Sequence, residues 1–392
     1  MGFLFLEKKI MRAKSIKFSD PDMTNQELEV LYRILSSNEL SEGSEIESFE
    51  RSFAQYVRRK FGVSFCSSKV AFFLCLKALG LKKGSEVILS AASWRDLGQV
   101  LLWAELTPKY VDIDYWSMAI DPAKIVKALS PKTKALVGLN PNGHPANWPE
   151  LEKIAKENSL YLIEDATESI GSAYQGKVVG SFGILSIFDF SQPSALVTGR
   201  GAMVVTDSEE LAFHLRMMRE RTAEERKSVV KSRLPSLGCS MSNLEAALGL
   251  AQLKRIDSIL QKRKDVEAFY TQLLCGFEGI KDPYVSPEAT EVHWFSYVVH
   301  LGTRFSRSSR DAIIEDLKRE NIEAFPYCYP LHISSWAMES GVHKGMLPMT
   351  ERVADRTIAL PFHGLLDFEQ VACIVKTLKD ASLNVGAGAA IY

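Results

Sequence analysis

A chain of 392 residues that is 46% hydrophobic can bury a large core and is expected to form two domains. Its net charge of −1 gives no general attraction to nucleic acid or to an anionic membrane, so neither is expected as a partner. Six scattered cysteines (Cys66, Cys75, Cys239, Cys275, Cys328, Cys373) without a Cys-x-x-Cys pair fit reduced thiols in a cytoplasmic protein better than a disulfide framework, and no metal site is expected.

Residues 1–19 read as an N-terminal extension. They hold a short apolar run without a signal-peptide layout, and Met11 is an alternative start. No apolar stretch approaches the ~20 residues that cross a bilayer. From about residue 20 to 60 the apolar spacing through Leu31, Leu35 and Phe49 predicts helix, with Thr24 or Asn25 as its start signal. Between Phe65 and Leu248, short apolar runs alternate with amphipathic helices. Val87-Ile88-Leu89, Tyr110 to Ile113, Ala135 to Leu139, Leu160 to Ile163 and Ala202 to Val205 predict a mainly parallel sheet covered on both faces. The charged stretch Arg219 to Pro235 reads as a solvated loop or as a clamp for a nucleotide diphosphate. One long helix is predicted from Asn243 to Tyr270. Beyond it, a strand at Trp294 to His300 and helices at Arg310 to Asn321 and Asp367 to Ala381 predict a smaller α+β unit. The predicted division is 20–254 for a large α/β domain and 255–392 for a small α+β domain.

Several ordered motifs carry more than a fold class. They are Phe49-Glu50-Arg51-Ser52-Phe53-Ala54-Gln55-Tyr56, Leu79 to Ile88, Val111-Asp112-Ile113-Asp114, Gly143-His144-Pro145-Ala146, Ile163-Glu164-Asp165-Ala166 and Ala246 to Leu253. In this order they resemble the DegT/DnrJ/EryC1/StrS sugar aminotransferases over about residues 20–380. The resemblance implies an aspartate-aminotransferase-like α/β fold (pyridoxal phosphate fold type I) and a homodimer with pockets at its interface. It also implies a cofactor site for pyridoxal or pyridoxamine phosphate and a nucleotide-sugar ligand.

The same resemblance assigns roles residue by residue. Asp165 takes the place of the carboxylate that pairs with the pyridinium nitrogen, and Trp94 that of an aromatic ring stacked on the pyridine face. Ser67-Ser68-Lys69 stands where the family has a Ser-Gly-Thr phosphate loop at a helix start. Asp189 replaces a phosphate-binding serine, and Glu168 replaces a glutamine that contacts the ring hydroxyl. Ser194 falls on the Schiff-base lysine, and no lysine occurs between Lys177 and Lys227. Gly238-Cys239-Ser240 replaces an Asn-x-Arg contributed across the dimer. The segment Phe325 to His332 resembles one that lines the substrate entrance, which makes His332 a candidate contact to the sugar.

A lysine releases product from its imine and moves a proton between two carbons, and a serine does neither alone. Three readings follow. The chain is a lysine-less homologue in nucleotide-sugar or surface-glycan metabolism, cofactor-free or repurposed. Alternatively, it uses pyridoxamine phosphate non-covalently in dehydratase-type chemistry, with a base such as His144, Glu168 or His332. Thirdly, it is a non-catalytic partner of a complete paralogue. Lys69 and Asp189 would both face one phosphate, so they are predicted to pair and fill the vacated anion site.

Overall fold

The computed structural model describes residues 15–220, 236–339 and 341–388. Nine strands occupy the first part: β1 (Phe61–Phe65), β2 (Glu86–Ser90), β3 (Thr107–Val111), β4 (Thr133–Leu139), β5 (Tyr161–Asp165), β6 (Ala173–Tyr174), β7 (Lys177–Val178), β8 (Leu185–Asp189) and β9 (Ala202–Thr206). Five more follow: β10 (Ile280–Lys281), β11 (Ala289–Glu291), β12 (Tyr297–Leu301), β13 (Phe325–Pro326) and β14 (Thr357–Leu360).

The central sheet has the order β1-β9-β8-β5-β4-β2-β3. Only β9 runs against its neighbours, so the other strands present their C-terminal ends along one edge. Strand β4 shows why its sequence is apolar throughout. Ala135 and Val137 pack with Phe72 and Leu76 on one face. Leu136 packs with Trp148 and Leu151 on the other. A strand covered on both sides has no polar positions to alternate with.

The predicted helix over 20–60 is two helices, α1 (Asn25–Leu35) and α2 (Ser44–Tyr56), separated by a loop that Asn243 pins. Asn243 donates to Glu39 O at 2.8 Å and accepts from Glu45 N at 3.1 Å. The predicted Asn243–Tyr270 helix is likewise two, Asn243–Lys254 and Ile256–Leu274, joined at Arg255. Neither glycine nor proline breaks it. The guanidinium of Arg255 is drawn to Asp22 Oδ1 at 2.8 Å and Glu27 Oε1 at 2.6 Å.

The antiparallel sheet β10-β12-β14-β13 packs against the helices Ile256–Leu274, Arg307–Arg319 and Phe368–Gly388, with Tyr270, Val299, Ile358 and Leu378 in its core. The predicted extension joins this unit at its far end. Ile16 forms a parallel bridge with Ile322, and Phe18 O accepts from Phe362 N at 3.0 Å.

Candidate functional site

The C-terminal ends of β1, β2, β5 and β8 converge on a cavity of about 230 Å³. In open α/β sheets the crevice beyond the strand ends is where ligands sit. Helix α3 (Ser68–Ala78) starts here, capped by Ser67 Oγ, and places Ser68 and Lys69 on the wall. Helix α4 (Arg95–Trp103) contributes Asp96, next to Trp94 at its N-cap. Thr167, Glu168, Asp189, Ser191, Gln192 and Phe295 complete the lining.

A second chamber of about 350 Å³ shares Trp94, Glu168 and Phe295 with the first. Its wall is largely aromatic, with Phe18, Phe325, Tyr327 and Tyr329, and it also includes Ser93. The structure thus places the segment after Ala324 at this mouth.

Asp165 lies fully buried beneath the cavity. Its Oδ1 accepts from Thr167 N at 3.1 Å and Thr167 Oγ1 at 2.7 Å, and its Oδ2 from Trp94 Nε1 at 2.7 Å. Burial pushes its carboxyl up against these hydrogen bonds, and the charge of Asp189 adds to the rise. Trp94 therefore spends its indole N–H on the carboxylate expected to hold a pyridinium. A part-buried tryptophan needs such a partner, and this is the acceptor at hand.

The predicted pair of Lys69 with Asp189 does not form. Lys69 Nζ lies 2.6 Å from Asp96 Oδ2, with both side chains partly in water (45% and 31% exposed). Pairing at this rim costs less desolvation than carrying the ammonium inward. Asp189 is bound within its own loop, where Oδ1 accepts from Ser191 N at 2.8 Å and from Ser191 Oγ. The anion corner stays open, with a carboxylate in it.

Glu168 stands where the two chambers meet. Its Oε2 accepts from Asn142 N at 2.6 Å and Tyr327 OH at 2.8 Å. Burial pushes its carboxyl up to about 7, opposed by those two donors and helped by the charge of Asp165. The protonated form is thus favoured by folding: its contribution is complete below the usual 4.5 and is lost as pH rises through about 7. Glu168→Gln keeps an oxygen for both donors and removes the titration. The variant should match the wild type near pH 4 and exceed it by up to about 3 kcal/mol above pH 7. Thermal melting of both proteins from pH 4 to 8 checks this, and parallel curves would contradict it.

Other candidates fall elsewhere. Ser194 is 8% exposed, donates its N–H to Ser191 O at 3.0 Å, and lines neither chamber. His332 is fully buried with Nε2 3.0 Å from Glu351 Oε1 and is not among the side chains lining either chamber. His144 accepts from Ser286 N at 3.0 Å and does not line the cavity either. Arg219 does not serve as a diphosphate clamp: it bonds buried Glu50 and donates to Ser64 O at 2.9 Å. The rest of that predicted clamp, 221–235, lies outside the described residues.

Asp96, Thr167, Ser191, Gln192, Phe295 and Phe18 were not singled out in the sequence. Asp96 had a signal, an acid two residues after Trp94 at a helix start. Among the described residues, no cluster of His, Cys, Asp and Glu is suited to a metal, and no helix is long and apolar enough to cross a membrane.

Comparison with known proteins agrees with this architecture. The model of the DegT/DnrJ/EryC1/StrS aminotransferase family matches residues 21–379. The spore coat polysaccharide biosynthesis protein SpsC of Bacillus subtilis is 29% identical over 376 residues, which is 93% of this chain and 96% of SpsC. A GDP-perosamine synthase of Caulobacter vibrioides is 30% identical over 322 residues, 81% of this chain and 85% of that enzyme. Among solved structures, Helicobacter pylori PseC, an aminotransferase involved in the biosynthesis of pseudoaminic acid, aligns with a TM-score of 0.87 at 23% identity, covering 95% of this chain and all of its own (100%). That likeness speaks to the fold, which is the aspartate-aminotransferase type. By motif order, strand topology and family match together, this chain belongs to the DegT/DnrJ/EryC1/StrS aminotransferase family.

Proposed function

We infer that this protein acts in nucleotide-sugar or surface-glycan metabolism without transaminating through a lysine-bound cofactor. Family membership and the sugar-related names of its relatives support the first half. The second half rests above all on Asp189, whose carboxylate occupies the cavity corner at the end of β8.

Pyridoxal phosphate does not fit the residues present. Its phosphate would meet Asp189, while Lys69, the cation lining that cavity, is already paired with Asp96. Its ring nitrogen would have to displace Trp94 from Asp165. Ser194, which stands at the lysine's place by resemblance, offers no amine for an imine. These are three separate obstacles, one at the phosphate, one at the ring nitrogen and one at the imine.

The proposed assembly is a cytoplasmic homodimer. Leu28, Tyr32 and Leu35 form an exposed apolar stripe on α1 that a second copy or a paralogue could cover. The test of function is a calorimetric titration with pyridoxamine phosphate, which needs no lysine. No detectable heat from the folded protein is expected. Micromolar binding would overturn this reading and favour non-covalent, dehydratase-type use of that cofactor.

A further inference from the structure

Behind the cavity, the fold brings together two cysteines from distant parts of the chain. Cys66 follows β1 and precedes Ser67, the cap of α3. Cys239 lies in a segment that returns along the end of the helix Glu209–Arg219, where Leu237 N donates to Met218 O at 3.0 Å. The N–H of Cys66 donates to Cys239 O at 2.9 Å. Hydrogen-bonded neighbouring backbones place their α-carbons about 5.5 Å apart, inside the roughly 4.4–6.8 Å that a disulfide spans. Both residues are reduced thiols in this structure.

Arg219 fixes this approach from both sides. Its guanidinium donates to Ser64 O at 2.9 Å, two residues before Cys66. Its carbonyl oxygen accepts from Cys239 N at 3.1 Å and from Cys239 Sγ at 3.6 Å. The side chains also share their surroundings. Cys239 belongs to the apolar cluster of Phe65 and Leu215, and Cys66 packs against that cluster. Burial pushes the Cys239 thiol up to about 11, and charge on Cys66 adds to the rise while Arg219 opposes it. A thiolate at one sulfur is therefore felt at the other. The remaining cysteines lie on other elements: Cys75 within α3, Cys275 after the helix Ile256–Leu274, Cys328 after β13 and Cys373 in the helix Phe368–Gly388.

Exposure gives the two sulfurs different parts to play. Cys239 is 6% exposed, whereas Cys66 is half-buried and is the one an oxidant meets first. We propose that Cys66 and Cys239 are a redox-sensitive dithiol, which a disulfide oxidant such as oxidised glutathione closes into an intramolecular disulfide. The Cys66 thiolate attacks one sulfur of oxidised glutathione, forming a mixed disulfide and releasing one glutathione thiolate. Cys239 then gives its proton to solvent, attacks the Cys66 sulfur and releases the second glutathione. Two protein thiols lose two electrons and two protons, and one glutathione disulfide becomes two glutathione thiols. The closed form ties the segment around Cys239 to the start of α3, whose Ser68 and Lys69 stand on the cavity wall. Redox state thereby reaches the cavity, whatever ligand the cavity takes.

The test is peptide mapping of the folded full chain after incubation with oxidised glutathione and blocking of the remaining thiols. A linked Cys66–Cys239 peptide is expected from protein that runs as a single chain on a non-reducing gel. The melting temperature should rise by several degrees, because a cross-link that closes so long a loop restricts the unfolded chain. Dithiothreitol should reverse both changes. Cys66→Ser and Cys239→Ser should each abolish the rise, and a Cys275→Ser, Cys373→Ser double variant, which removes the two exposed thiols, should keep it. A glutathione adduct at Cys66 with no linked peptide, a linkage through another cysteine, or a linked peptide with no rise in melting temperature would each overturn the proposal. The mapping is done on the wild-type chain, so it decides even where a serine variant does not fold.

Discussion

Asp189→Ser is expected to raise the cavity's affinity for pyridoxamine phosphate by roughly a thousandfold. Two unit charges about 4 Å apart at an effective dielectric near 20 repel by about 4 kcal/mol, and 1.4 kcal/mol is a factor of ten. The serine removes the repulsion and adds a hydroxyl donor. It also takes the acceptor away from Ser191, whose N–H and Oγ both use Asp189. That loss costs about 1–3 kcal/mol of stability if no water replaces it. Asp189→Asn separates the two effects, since it removes charge and retains an acceptor. It should recover most of the affinity with little change in melting temperature. Calorimetry on both variants decides: if neither binds better than the wild type, the barrier to phosphate lies in the Trp94–Asp165 contact instead.

Arg255→Met is expected to cost about 3–5 kcal/mol of unfolding free energy, the usual penalty for orphaning buried charges. Arg255 is 11% exposed at its side chain and bonds Asp22 and Glu27, which are 5% and 1% exposed. Glu27 also closes the capping box of α1 through Thr24, so one guanidinium ties the first helix to the break between two later ones. Lys262 remains on Asp22 at 2.6 Å and softens the loss there, which leaves Glu27 as the larger part. Arg255→Lys should restore less than half, because an ammonium cannot fork between two carboxylates.

The pH dependence has a definite sign. Burial pushes the Asp22 and Glu27 carboxyls up, but the bonds from Lys262, Arg255 and Thr24 outweigh it and hold both below their usual 3.8 and 4.5. Their contribution is present above those values and is lost as pH falls through the depressed ones. The gap between wild type and Arg255→Met should therefore narrow below about pH 4. Urea unfolding at pH 7 and pH 3.5 measures it. A loss under 1 kcal/mol at pH 7 would mean that the carboxylates simply rotate into water.

The strands were legible in the sequence because burial on both sheet faces demands unbroken apolar runs, as in Ala135 to Leu139. Helix breaks were not. The chain through Lys254, Arg255 and Ile256 has ordinary helical composition, and only Asp22 and Glu27, far earlier in sequence, decide where it bends. The acids and Trp94 of the site could be read from motif order, since strand ends fix where they stand. Their pairing could not. Alignment puts Lys69 and Asp189 around one imagined phosphate, but Asp96 is the partner the ammonium can reach near water. Phe18 and Phe295 had no local signal at all, being brought to the cavity by tertiary packing.

The N-terminal segment gives the second chamber an unusual wall. Ile16 N–H donates to Asn321 O at 2.9 Å, and Glu323 N–H returns to Ile16 O at 3.0 Å. Phe18 N–H reaches Glu323 Oε2 at 2.7 Å, and its ring meets Phe325 edge-on at 5.1 Å while lining the chamber. Occupancy and tethering are consequently one equilibrium. Whatever peels residues 16–18 from residues 321–323 and Phe362 dismantles part of the binding surface, and whatever fills that surface holds the strap down by the same free energy.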